Sequence, residues 1–90
     1  MSDNLELRQM LSDLYDPDIM LIDGMDDAII GIATRPGLTA LIYDRNKIVE
    51  ILMDRDGMTE EEASEYVSFN IEGAYVGEKG PLVMEPLPEY

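Results

Sequence analysis

Residues 28–43 read Ala28-Ile29-Ile30-Gly31-Ile32-Ala33-Thr34, then Arg35-Pro36-Gly37, then Leu38-Thr39-Ala40-Leu41-Ile42-Tyr43. Two strand-length runs, rich in β-branched and other apolar residues, flank a three-residue connection containing Gly. That is the pattern of a β-hairpin with strands at 28–34 and 38–43. Both faces of the two strands are largely apolar, so the sheet is either buried on both sides or covered by helices on one face and by a partner chain on the other. Gly31 inside the first run marks a bulge or a close helix approach.

Downstream of the hairpin, Asp44 is placed to cap a helix over about residues 45–56, where Ile48, Ile51, Leu52 and Arg55 follow helical spacing, and Gly57 closes it. Thr59-Glu60-Glu61-Glu62 then forms a capping box: Thr59 accepts from the Glu62 amide and Glu62 reaches back to the Thr59 amide. Three carboxylates in one first turn also suit the positive end of a helix dipole. The spacing predicts a helix from Glu60 to about Ile71 or Glu72, with Ala63, Tyr66, Val67 and Asn70 on its apolar face and Phe69 on the flank. On this reading Tyr66, Asn70 and Tyr75 are the polar residues most suited to partial burial.

Upstream, Asp3 or Asn4 can cap a first helix reaching about Tyr15, with Leu7, Met10, Leu11 and Leu14 as an apolar stripe that Asp16-Pro17 ends. Short extended pieces are expected at 19–22, at Tyr75-Val76 and at 81–84. The whole reads as an α+β domain: a small antiparallel sheet, hairpin 28–34/38–43 plus short strands, with helices packed on one face. Residues 1–90 form one domain, with the proline-rich stretch 85–90 as a flexible tail. Strands apolar on both sides and short sheet edges favour a homo-oligomer.

The chain has 90 residues, six Lys and Arg against twenty Asp and Glu, no His and no Cys. Ninety residues bury only about 60–65% of the unfolded chain's surface, which leaves no room for a two-domain cleft. Without His or Cys there is no imidazole acid–base chemistry, no thiolate nucleophile and no disulfide or soft-metal site. No Walker loop or dinucleotide fingerprint occurs, no cofactor is implied, and the expectation is a protein that is not an enzyme. No leader-like start or membrane-length apolar run is present, so the expected location is cytoplasmic.

Charge is unevenly distributed. Residues 1–27 carry net −7 and residues 56–90 net −8, while residues 28–55 carry +1, for a total of −14. Such a surface repels phosphate, which argues against direct binding of nucleic acid or anionic membrane and favours a basic protein surface as partner. Glu61, Glu65 and Glu72 repeat at four and seven along one helix and are the candidate partner-binding residues; with Glu60 and Glu62 they make an acidic face able to imitate a phosphate backbone. The same stripe is equally what a solvated helix face looks like.

Two cation readings compete with ordinary roles. Asp54 to Glu62 superficially resembles a calcium loop, but Gly57 in the sixth position puts Leu52 first and Ala63 twelfth, where acids are required. Asp16, Asp18, Asp23, Asp26 and Asp27 crowd twelve residues of turn-like sequence, enough oxygen for a hard cation if they converge. Turn and capping roles account for the same residues. A cation- or small-molecule-binding regulator is therefore an alternative function, as is a structural or assembly subunit.

The pieces Ile22-Asp23-Gly24-Met25-Asp26-Asp27-Ala28-Ile29-Ile30-Gly31, Asp56-Gly57-Met58-Thr59-Glu60-Glu61-Glu62-Ala63 and above all Phe69-Asn70-Ile71-Glu72-Gly73-Ala74-Tyr75-Val76-Gly77, in that order, carry a resemblance. Over about residues 21–84 the chain resembles a family of small uncharacterised proteins of tailed bacteriophages and prophages. The resemblance implies an accessory protein made in a bacterial host cytoplasm, and it transfers no catalytic or ligand residue. Small acidic phage proteins that inhibit host nucleic-acid-binding or defence proteins supply the analogy for a non-enzymatic protein-binding module.

Overall fold

The two apolar runs pair. In the computed structural model, which describes residues 5–15, 19–73 and 80–87, β1 (Ile29–Arg35) and β2 (Leu38–Asp44) form an antiparallel hairpin. Opposed partners run from Arg35 and Leu38 through Ile32 and Leu41 to Ile29 and Tyr43, and the register slips between Ile29 and Gly31. Gly31 does mark a bulge, with Ile30 as the extra residue. The bulge bends β1 and leaves Ile30 51% exposed.

Successive side chains alternate between faces of a strand. Ile32, Leu41 and Tyr43 accordingly enter the core with Ile29, whereas Gly31, Ala33, Ala40 and Ile42 line the reverse of the sheet. A third strand, β3 (Leu82–Met84), lies on the other side of β2 with Ile42 opposite Leu82 and Tyr43 opposite Val83. It runs parallel to β2, so the sheet is mixed and the expectation of a wholly antiparallel one is corrected. The cause is the connection: two helices intervene between β2 and β3, and such a crossover can return the chain in its original direction, which a tight turn cannot. Val83 packs on the core, while Leu82 and Met84, 47% and 40% exposed, extend the reverse face.

The helices lie against the core face. Asp44 caps α2 (Arg45–Asp56) by accepting from the Asn46 amide at 3.0 Å, and Gly57 ends it at φ +69°, a conformation that a Cβ would strain, donating to the Met53 carbonyl at 3.1 Å. Ile48, Val49 and Leu52 are the buried stripe of α2, each worth roughly 1.5–3 kcal/mol of apolar burial. The first helix, α1 (Leu5–Leu14), contributes Leu7 and Leu11 to the core. Met10 and Leu14 point outward, so only half of the expected stripe is used. Arg8 holds α1 to the 3₁₀ turn Asp26–Ala28 through both Asp26 oxygens at 3.3 Å.

Residues 19–22 are irregular, not the expected strand. Their backbone is held individually instead: the Ile22 amide donates to the Tyr43 hydroxyl at 2.9 Å and the Met25 amide to the Ile22 carbonyl at 3.2 Å. Ile19 is buried, and Leu21 and Ile22 pack on the same core. The expected strand at 75–76 and the last residues of the tail lie outside the described residues. Among those described, no helix is long and apolar enough to cross a membrane.

The last helix changes character midway. α3 (Glu60–Tyr66) begins on the capping box and passes directly into a π segment (Val67–Glu72), whose hydrogen bonds span five residues rather than four. The buried line along the helix runs Ala63, Val67, Ile71, in steps of four. Past Val67 the burial falls on Ile71, and Asn70 faces solvent. The expected partial burial of Asn70 is thus corrected, whereas Tyr66 keeps part of its surface covered, at 38% exposed.

Candidate functional site

Thr59 and Glu62 make the predicted reciprocal cap: the Glu62 amide donates to Thr59 Oγ1 at 3.1 Å and the Thr59 amide to Glu62 Oε1 at 2.9 Å. With its first turn fixed in this way, α3 presents Glu60, Glu61 and Glu65 to solvent beside α2. Between the two helices runs an open groove of about 680 Å³ edged by Glu50, Glu60, Glu61, Glu65 and Glu85, with Arg45 as its cation.

Arg45 is fully engaged. Its side chain, at the start of α2, reaches across to donate to the Ser64 carbonyl at 3.1 Å and to Ser68 Oγ at 3.0 Å, and its Nε lies 3.4 Å from Glu72 Oε2. One guanidinium therefore clasps α2 to α3 and to the π segment. It also separates the three candidate carboxylates. Glu61 and Glu65 stay exposed along the groove, whereas Glu72 is turned onto Arg45 and serves the packing of the two helices.

A second concavity, shallow and about 380 Å³, lies on another side of the same helix. Asp56 at the end of α2 and Gly57 and Met58 just after it line one part, and Glu62, Glu65, Tyr66, Phe69 and Asn70 from the helix line the rest of the same concavity. Phe69 is 77% exposed, the most water-facing aromatic ring among the described residues. Asp56 is paired with Arg55 at 3.0 Å, and that guanidinium holds its carboxyl below the usual carboxylate range. Sequence reasoning set Phe69 on the flank of the helix and Tyr66 on its apolar face, and so missed this face. The spacing of Glu62, Glu65, Tyr66 and Phe69 was the signal that could have found it.

The carboxylates of the turn do not gather. Asp23 and Asp27 are exposed, Asp26 is held by Arg8, and Asp16 and Asp18 lie outside the described residues. Among the described residues no group of three acids, His or Cys is placed to hold a metal ion. Compared with known proteins, the chain matches no family model, no curated protein and no solved structure.

Proposed function

We propose that the chain is a non-enzymatic, acidic protein-binding module of phage type, acting in a bacterial host cytoplasm on a basic partner such as a nucleic-acid-binding or defence protein. The observation that carries this reading is the groove between α2 and α3: five carboxylates edge it, and its cation is already committed to Ser64, Ser68 and Glu72. A groove with that balance attracts a basic surface, speeds its encounter and repels nucleic acid itself. The lack of His and Cys in the sequence agrees with a role that needs no nucleophile or imidazole.

The test is a tagged pull-down from bacterial lysate at low and at physiological salt, comparing the natural protein with E61K/E65K. Glu72 is left alone, since a lysine there would face Arg45 and loosen the helices. The expected outcome is capture of a nucleic-acid-binding protein that the double variant loses. Capture that is indifferent to the substitutions contradicts the groove as the binding surface.

A second reading, a structural subunit that assembles with its own copies, is favoured by the reverse of the sheet, where Leu82 and Met84 stand exposed beside Ile42. Size-exclusion chromatography with light scattering separates the two. Large symmetric assemblies support the subunit; a monomer or dimer supports the binding module.

A further inference from the structure

We propose that the shallow concavity between the Asp56–Met58 loop and α3 is a seat for an arginine side chain of the protein partner, with Glu65 as its carboxylate and Phe69 and Tyr66 as its stacking surface. The inference rests on the protein-binding reading above and assigns it a second, more specific contact.

The chemistry of the face selects the occupant. Phe69 stands 77% exposed on a helix whose other face is packed, and Tyr66 lies one turn before it, 38% exposed. Exposed rings alone would suit any apolar partner side chain. Here they share the face with Glu62 and Glu65, seven and four residues before Phe69, and the concavity is otherwise lined by Asp56, Gly57, Met58 and Asn70. An aliphatic side chain placed there would desolvate the carboxylates without compensation, and an anion would be repelled. A guanidinium satisfies both halves: its plane stacks on an aromatic ring and its N–H fork meets a carboxylate edge-on.

The carboxylates differ in how far they are committed. Glu62 already accepts from the Thr59 amide through Oε1, and Asp56 is neutralised by Arg55. Glu65 carries no such bond, so the uncompensated charge of the concavity centres on it. Arginine is preferred to lysine because a compact, strongly hydrated ammonium can use the charge but gains less from the rings. The chain's own cations make poor occupants. Arg8, Arg45, Lys47 and Arg55 are each in an ion pair, which leaves Arg35 in the hairpin among the described residues, and two copies at −14 repel each other.

The proposal is tested with two labelled peptides, one alternating Gly and Arg and one alternating Gly and Lys, titrated by fluorescence anisotropy at physiological ionic strength. The natural protein is expected to bind the Arg peptide more tightly. F69A leaves the net charge unchanged and is expected to weaken that peptide about five-fold, the scale of one cation–π contact. E65Q is expected to weaken it more than E85Q, which removes the same charge from outside the concavity. Thermal melts verify that F69A, a substitution at an exposed site, stays folded.

Equal binding of both peptides overturns the proposal, as does indifference to F69A with E65Q and E85Q equivalent. If a lysate protein is captured through Glu61 and Glu65 but the Arg peptide does not bind, the arginine seat falls and the binding module stands. Self-association lost in both F69A and R35E puts the chain's own hairpin in the concavity and overturns the foreign partner.

Discussion

Tyr43 joins three parts of the molecule through one side chain. Its ring is fully buried beneath the helices, and its hydroxyl accepts the Ile22 amide, which otherwise lies in a stretch with no strand to pair it. Tyr43→Phe keeps the ring and orphans that amide, so a loss of about 1–2 kcal/mol is expected, read as a lower urea midpoint. Protonation adds a second signature. Burial pushes the Tyr43 phenol up from its ordinary value, an effect opposed by the Ile22 amide, reinforced by Asp26 and reduced by Arg8. The folded protein then keeps its phenolic proton at pH values where the unfolded chain, titrating near pH 10, has lost it. The unfolded state binds fewer protons in that window, so stability is intact below about pH 10 and falls as pH rises above it. Tyr43→Phe lacks this contribution. Its stability is expected to fall less steeply than the natural protein's between about pH 9 and pH 11, and parallel urea midpoints for the two proteins would contradict the assignment.

Among the elements, α3 depends most on a few local bonds. Its α-helical part is seven residues long, too short to persist without its cap, and Thr59→Ala removes one half of the capping box. A loss of about 1 kcal/mol is expected, with Thr59→Ser retaining most of the stability; equal destabilisation by both would show that the methyl group, not the hydroxyl, matters. Such features were legible in the sequence because they are local. The hairpin turn, the Asp44 cap, the Gly57 stop and the Thr59–Glu62 box each depend on residues within four positions of one another. What was not legible depends on distance along the chain. The direction of β3 is set by a crossover of some forty residues, and residues 19–22 lose their strand because Tyr43, not a neighbouring strand, takes the Ile22 amide. The π segment is the subtler case. Nothing in Val67-Ser68-Phe69-Asn70-Ile71-Glu72 announces it. The exposure of Glu61 and Glu65 followed from charge pattern alone, whereas the turning of Glu72 onto Arg45 needed the packing of α2 against α3.

For the whole molecule the controlling quantity is the distribution of charge. Four of the five described cations sit in ion pairs: Arg8 with Asp26, Arg45 with Glu72, Lys47 with Glu50 and Arg55 with Asp56. The excess of acid is thereby left without local compensation, much of it on α3 and the edges of its groove, within a total of −14. Folding brings these carboxylates closer together than the extended chain does, so the field opposes the folded state. Added salt acts on both sides of the balance. It weakens the four pairs, which are largely at the surface and contribute little. It also screens the repulsion, over a length that shrinks from about 30 Å at 0.01 M to about 8 Å at 0.15 M. Because unpaired acids outnumber pairs, the second effect wins, and the thermal midpoint is expected to rise with sodium chloride over that range. Relief of 1 kcal/mol in a domain of this size corresponds to about 4–8 °C. The double variant E61K/E65K takes the net charge from −14 to −10 and relieves the densest part of the field. Its midpoint in low salt should exceed that of the natural protein, and its rise with salt should be shallower. A midpoint that is flat or falls with salt in the natural protein would mean that the ion pairs outweigh the repulsion, and that the acidic groove is held at little cost to folding.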